Sequence, residues 1–274
     1  MDLRIGLIAG GGQFPLIFSE SAKKKGFTIF AAAYIDEADP KLKEYVDEIE
    51  WFHLGQVRRL IRYFKLNQVS KAVMIGTIQK TRMFSDVKPD IKAISLILGM
   101  KHTHDDGVLR AFAGVLEKEG IKIHASTFLL PELMAPPGCW TKRKPNRSEM
   151  SDIELGWRCA KEIGRLDIGQ CVVVGGGTVL AVEAIDGTDE TIKRGAALGS
   201  GSAVVVKTCK PNQDIRFDMP AIGIDTIKTM NRAGATVLAV EAQNAVVFDR
   251  EEMVDFANQV NIAIIAMDET GMAG

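Results

Sequence analysis

Leu3-Arg-Ile-Gly-Leu-Ile-Ala-Gly-Gly-Gly-Gln-Phe-Pro15 stands at the head of the chain. Residues 3–9 are an apolar run of strand length, three glycines break it, and Pro15 suits a first helical turn, where no N–H is needed. A buried strand, a glycine turn and a helix, in that order, begin an α/β layer. The alternation continues. Residues 27–34 read as a second strand, followed by an acidic loop through Asp36, Glu37 and Asp39. Residues 57–64 read as a helix with Arg58, Arg59 and Arg62 on its polar side, and 71–75 as a strand ending at Gly76. Helices over 91–100 and 107–119 and a short strand over 121–124 complete a first half that is Rossmann-like in outline, with a mainly parallel sheet covered on both faces.

Composition changes at Leu130-Pro-Glu-Leu-Met-Ala-Pro-Pro-Gly-Cys-Trp-Thr-Lys-Arg-Lys-Pro-Asn-Arg147, where prolines, a glycine and a basic cluster mark a crossover. The expected division is a domain over 1–130, a linker over 131–147 and an α/β domain over 148–274. Ser151-Asp-Ile-Glu154 fits a capping box that opens a helix running to about residue 163. Strands over 171–174 and 179–184 flank Gly175-Gly176-Gly177, a hairpin signal that makes the second sheet mixed. Thr188-Asp189-Glu190 supplies a cap residue and two first-turn acids for the next helix. Residues 203–207 are a strand, 226–232 a helix, 251–259 another helix and 262–267 a last strand. Residues 236–240 and 245–248 read as a pair turning at Gln243-Asn244. The fold class is therefore α/β, as two α/β domains: the first Rossmann-like, the second a mixed sheet with helices.

With 274 residues, 46% of them hydrophobic, the chain can bury one large core or two modest ones. A formal net charge of -1 without a long basic block argues against a nucleic-acid partner. Cys139, Cys159, Cys171 and Cys209 are widely spaced and form no C-x-x-C pair, which suits reduced thiols in a cytoplasmic protein. The apolar run at residues 5–9 is too short for a signal peptide's core, and no run approaches the roughly 20 residues that span a bilayer.

Chemistry concentrates beyond the strand at 203–207. Lys207, Lys210, Gln213, Asp214, Arg216 and Asp218 gather there, and Pro211 and Pro220 keep the segment out of regular helix. Cations at a strand end can meet phosphate oxygens while aspartates hold Mg²⁺; the alternative is a solvated surface loop. Gly10, Gly11 and Gly12 stand where a dinucleotide fold keeps its phosphate turn, although Pro15 replaces the third glycine of G-x-G-x-x-G. A structural turn is the other reading. His102-Thr-His-Asp105-Asp106 offers ligand types, with helix capping as the role favoured for one aspartate. Glu183 lies inside an apolar run and needs a partner: Lys207 or Arg216 across strands, or a metal. No nucleophile elbow, Walker A lysine or His-Glu-x-x-His helix is present.

Taken as an ordered set, several blocks resemble the UDP-2,3-diacylglucosamine pyrophosphatases of lipid A synthesis, the family unrelated to the calcineurin-like phosphoesterases. These are Gly6-Leu-Ile-Ala-Gly-Gly-Gly-Gln-Phe-Pro15, Asp105-Asp106, Gln170-Cys-Val-Val-Val174 and Val179-Leu-Ala-Val-Glu-Ala-Ile-Asp-Gly-Thr-Asp189. Lys210-Pro-Asn-Gln-Asp-Ile-Arg-Phe-Asp-Met-Pro-Ala-Ile-Gly223 and Ala239-Val-Glu-Ala-Gln243 complete the series. One departure is Gly76-Thr-Ile-Gln-Lys-Thr-Arg82, where relatives tend to show Gly-Asn-Val followed by Arg-Pro; contacts from that loop stay open.

The resemblance implies a Mg²⁺-dependent hydrolase that splits the diphosphate of an amphiphilic UDP-sugar lipid. The products are UMP and 2,3-diacylglucosamine 1-phosphate. It also implies a homodimer; the cysteines point to the cytoplasm, and peripheral contact with the cytoplasmic face of the inner membrane stays open. Asp214, Asp218 and Asp225 are the candidates for its essential aspartate, with Arg216 and Lys210 beside them. Gly10–Gly12, Lys207, Gln213 and Thr188 are the candidate substrate contacts, and Asp214, Asp218 and Glu183 the candidate metal ligands. Ile94, Leu96, Ile97, Leu129, Leu133 and Met134 are candidates for an acyl-chain wall, with ordinary core as the alternative. Competing functions are an NAD-dependent oxidoreductase and a non-catalytic nucleotide-sugar or lipid carrier.

Overall fold

The structure is a computed structural model that describes residues 3–78, 89–98, 105–199, 201–211, 214–217 and 219–268, without the side chains of 95–98 and 105–106. It has two compact units. The first comprises Met1–Pro131 with Asp214–Asp218, and the second Glu132–Gln213 with Met219–Gly274.

In the first unit, β1 (Arg4–Ala9), β2 (Thr28–Tyr34), β3 (Glu48–Phe52), β4 (Lys71–Ile75) and β5 (Lys122–His124) form one sheet in the order β3-β2-β1-β4-β5. Every pairing is parallel. The central β1 is buried from Ile5 to Ala9, as its continuous apolar run requires when both faces are covered. Helices α1 (Phe14–Lys24), α2 (Val57–Leu66), α3 (Ile91–Leu98) and α4 (Asp105–Lys118) connect the strands. Val57, Leu60, Ile61 and Phe64 recur at helical spacing, so α2 buries one face against Phe52, Ile8 and Leu116. The edge strand β3 has no counterpart in the sequence reading, because its acidic residues Glu48 and Glu50 interrupt the apolar run.

The second unit contains β6 (Gly138–Cys139), α5 (Arg147–Arg165), β7 (Cys171–Gly175), β8 (Thr178–Val182), α6 (Thr188–Leu198) and β9 (Ala203–Lys207). Then come β10 (Ala221–Ile222), α7 (Ile224–Ala233), β11 (Ala235–Glu241), β12 (Val246–Val247), α8 (Arg250–Gln259) and β13 (Ala263–Met267). Six of these strands make a sheet in the order β6-β13-β11-β9-β7-β8. The strands β9, β11 and β13 run parallel, whereas β7 is antiparallel to both β8 and β9, so the sheet is mixed. Alternation along β9 explains its complete burial. Val204 and Val206 pack with Ile153 and Trp157 of α5, and Val205 faces Ile227 and Met230 of α7.

Two local readings are corrected. The capping box of α5 is Asn146 with Glu149, not Ser151 with Glu154. Asn146 Oδ1 accepts from the Glu149 N–H at 3.0 Å, and Glu149 Oε2 accepts from the Asn146 N–H at 2.8 Å. Both pairs have the right spacing, but the chain turns helical as soon as Pro145 permits, leaving Ser151 one turn inside. The second correction concerns Gln243-Asn244, which does not turn β11 back on itself. Both edges of β11 are taken by β9 and β13, so β12 pairs instead with β10, in parallel.

Between Pro131 and Arg147, β6 adds antiparallel to β13, and Trp140 packs on the second core. Among the described residues, no helix is long and apolar enough to cross a membrane. The four cysteines are free thiols.

Candidate active site

The segment after β9 is anchored where two parallel strands end. Glu241, the last residue of β11, is only 1% exposed, which for a carboxylate requires partners. It has three: Lys161 Nζ at 2.7 Å, the Cys209 N–H at 2.8 Å and Asn244 Nδ2 at 3.0 Å. Lys161 also donates to Cys209 O at 3.2 Å and lies over the Trp157 ring. In the sequence Glu241 is an acid closing an apolar run, as Glu183 is, and that is the signal for its role. Lys207 is buried, and its ammonium donates to Ala221 O at 3.0 Å. Lys210 Nζ is 2.6 Å from Asp167 Oδ1.

Asp214 and Arg216 belong to the first unit. Arg216 donates Nε to Asp214 Oδ1 at 2.9 Å and Nη2 to Oδ2 at 2.7 Å, a bidentate fork. Its backbone N–H reaches the same Oδ1 at 3.2 Å. Helix α4 contributes Arg110, with Nε 3.8 Å from Asp214 Oδ2, and Glu117, which accepts Arg216 Nη1 at 2.8 Å. The guanidinium stands over the Phe217 ring, and Phe217 packs on the first core. The hydrogen bonds from Arg216 hold the Asp214 carboxyl below its ordinary range, and Asp214 in turn raises the pKa of Arg216. The result is a fixed carboxylate–guanidinium pair, ionised at neutral pH. Gln213 and Asp218 lie outside the described residues, as do His102 and His104.

Other candidates are dispersed. Asp225 is in the first turn of α7, with its side chain 90% exposed and paired to Lys228 at 3.2 Å. Glu183 pairs with neither Lys207 nor Arg216. It accepts from the Gln170 N–H at 3.0 Å and the Thr188 hydroxyl at 2.7 Å, closing the chain between β8 and α6. Thr188 is thus the first residue of α6, preceded by Gly187 as the cap. Leu129 is ordinary core and Ile94 is 45% exposed, while the Leu96 and Ile97 side chains are outside the described set. No group of three or more His, Cys, Asp or Glu among the described residues is placed to hold a metal ion. The described residues therefore do not build a metal cage.

The glycine turn works differently from a dinucleotide cradle. Gly10 N donates to Ile75 O and Gly11 N to Thr77 O, each at 2.8 Å. A Cβ on Gly10 would lie 2.5 Å from Thr77 O, so glycine is needed for the backbones beyond β1 and β4 to meet. Both amides are spent on that contact, whereas a phosphate turn presents them to the ligand. Only Gly12, with φ +89° and open space beside it, faces outward. It lines a cavity of about 710 Å³ with Gln13, Asp36, Asp39 and Trp51.

These features define a two-domain α/β protein with a charged segment anchored at the carboxyl ends of a parallel strand set. Family models divide along the chain in the same order: the LpxI N-terminal domain matches residues 4–133 and the LpxI C-terminal domain residues 136–265. The chain belongs to the LpxI family. It is 32% identical over 276 residues to UDP-2,3-diacylglucosamine pyrophosphatase LpxI of Caulobacter vibrioides, covering 97% of this chain and 98% of that protein.

Solved structures show a fainter likeness. The biotin carboxylase domain of Hydrogenobacter thermophilus 2-oxoglutarate carboxylase is 14% identical with a TM-score of 0.28, over 64% of this chain and 35% of that one. Phosphoribosylglycinamide synthetase from Anaerococcus prevotii is 14% identical with a TM-score of 0.27, over 69% and 42%. The chain spans less than half the length of either.

Proposed function

We propose that the protein hydrolyses the diphosphate of UDP-2,3-diacylglucosamine, releasing UMP and 2,3-diacylglucosamine 1-phosphate in lipid A synthesis. The observation that carries this reading is the identity to the Caulobacter vibrioides enzyme along 97% of the chain, through both domains. In the reaction, water adds to one phosphorus, the bridging P–O bond breaks, and the bridging oxygen leaves with its electron pair. Charge growing on the bridging and equatorial oxygens calls for fixed cations.

In this reading Arg216, oriented by Asp214, and Lys210 supply those cations, and Asp218 orients the water. Asp225 is the alternative aspartate, and Gly12 and Gln213 are substrate contacts. Gly10, Gly11, Glu183, Thr188 and Lys207 have their polar groups engaged within the fold, which favours supporting roles for them. Mg²⁺ dependence belongs to the proposal as well; the ion typically keeps several waters and binds through substrate phosphates with one or two carboxylates. A cytoplasmic homodimer that meets the inner membrane completes the reading.

The experiment mixes purified protein, UDP-2,3-diacylglucosamine in detergent and Mg²⁺, and follows phosphorus NMR. Two new phosphomonoester signals are expected, and Asp218→Ala should abolish them while leaving the circular dichroism spectrum unchanged. Binding without new signals would replace the hydrolase by a carrier. Unimpaired turnover in both Asp214→Ala and Asp218→Ala would remove these two residues from the site.

A further inference from the structure

The outer side of α2 is composed differently from the rest of the first unit's surface. Arg58, Arg62, Lys65 and Leu66 recur at helical spacing opposite the buried face and are all exposed. Leu66 is 70% exposed. Next to this row begins α3, tied to α2 through Asp90, whose carboxylate accepts the N–H groups of Arg58 and Ala93. Its first turn presents Ile91, 75% exposed, and Ile94 on one stripe, since residues three apart share a helix face. Lys92 turns toward α2, where it and Lys65 share the single carboxylate of Glu119.

The charges do not cancel. Arg58 and Arg62 have no side-chain partner among the described residues, and two lysines share one glutamate. Among the described residues, four cations thus face the carboxylates of Glu119 and Asp90. Arg59, on the same helix, is neutralised by Glu50 at 2.7 Å and adds nothing. An acidic-residue count close to the basic count over the whole chain makes this local excess a feature of the face rather than of the composition.

We propose that the outer face of α2 and the first turn of α3 form a docking surface for an anionic phospholipid bilayer. Exposed isoleucines and a leucine beside unpaired arginines match the two layers of such a surface. The apolar side chains enter the acyl boundary, and the guanidinium and ammonium groups reach lipid phosphates while their stems lie along apolar matter. An acidic protein would satisfy the arginines but would leave Ile91 and Ile94 in water, and a second copy of this face would oppose cation to cation. The inference rests on the membrane contact in the proposed function and deepens it by naming the face that makes it.

The test uses the full chain in flotation with vesicles of phosphatidylcholine alone, or with about a third phosphatidylglycerol. The protein should float with the anionic vesicles, lose binding as salt rises, and stay unbound with neutral ones. Arg58→Ala with Arg62→Ala should weaken binding about tenfold or more. Leu66→Ser with Ile91→Ser should weaken it while leaving the charge intact, and Lys228→Ala, in the other unit, should not. Hydrolysis of detergent-dispersed substrate should be unchanged in both double variants, which separates failure of this inference from failure of the hydrolase reading. Absence of binding, equal binding to neutral vesicles, or indifference to both double variants would overturn the proposal. So would a sedimentation shift from dimer to monomer in the Leu66→Ser, Ile91→Ser variant, which would assign the face to a second copy.

Discussion

At the residue scale, the fork between Arg216 and Asp214 is the most specific arrangement in the candidate site. A carboxylate whose oxygens already accept three N–H groups from one arginine residue is better suited to aiming that guanidinium than to filling an open metal shell. Asp214→Asn keeps the shape but removes the charge and one acceptor. Turnover is expected to fall at least about tenfold, because a cation displaced from its position no longer meets the developing charge. Stability should fall by no more than about 1 kcal/mol, given the pair's partial exposure to solvent. The pH dependence has a definite sign. The folded-state pKa of Asp214 is depressed, so its contribution is complete above the ordinary value of 3.8 and disappears as pH falls below it. Urea titrations of the wild type and Asp214→Asn should therefore differ by a constant amount down to about pH 4 and converge at lower pH.

At the scale of elements, helix starts and strand ends place the chemistry. The Asn146–Glu149 box fixes the first turn of α5, and Glu149 is further held by Arg143 and by Thr236 Oγ1 at 3.2 Å. Asn146→Ala should cost about 1 kcal/mol in chemical denaturation, while Ser151→Ala, inside the helix, should be near neutral. Equal effects would contradict the observed helix start. Farther along α5, Lys161 reaches Glu241 and the backbone of Cys209, so the helix that opens with this box also secures the segment leaving β9. A buried, hydrogen-bonded ion pair at the root of a charged loop fixes its starting direction.

For the whole molecule, the proposed Mg²⁺ dependence makes a prediction. If the ion enters with the substrate phosphates, EDTA should stop turnover and Mg²⁺ restore it, without a shift in thermal midpoint in the absence of substrate. A clear stabilisation by Mg²⁺ alone would instead mean that the protein builds a site of its own. Both measurements need only the full chain, scanning calorimetry and the phosphorus assay.

The apolar runs determined much of this protein without reference to coordinates. Period-two and continuous hydrophobic stretches fixed β1, β2, β4, β7, β9 and β13, because a strand covered on both faces has no other way to be written. The glycine hairpin at Gly175–Gly177 was legible for the same local reason, as was the collection of charges after β9. Partnership was not legible. Whether Glu183 met Lys207 or Thr188, whether Gly10 offered its amide to a ligand or to Thr77, and whether β12 returned to β11 depended on which groups distant chain segments brought within hydrogen-bond reach. Those choices rest on sheet order and close backbone approach. Sequence spacing carries the period of an element, but the tertiary structure alone decides which surface that element meets.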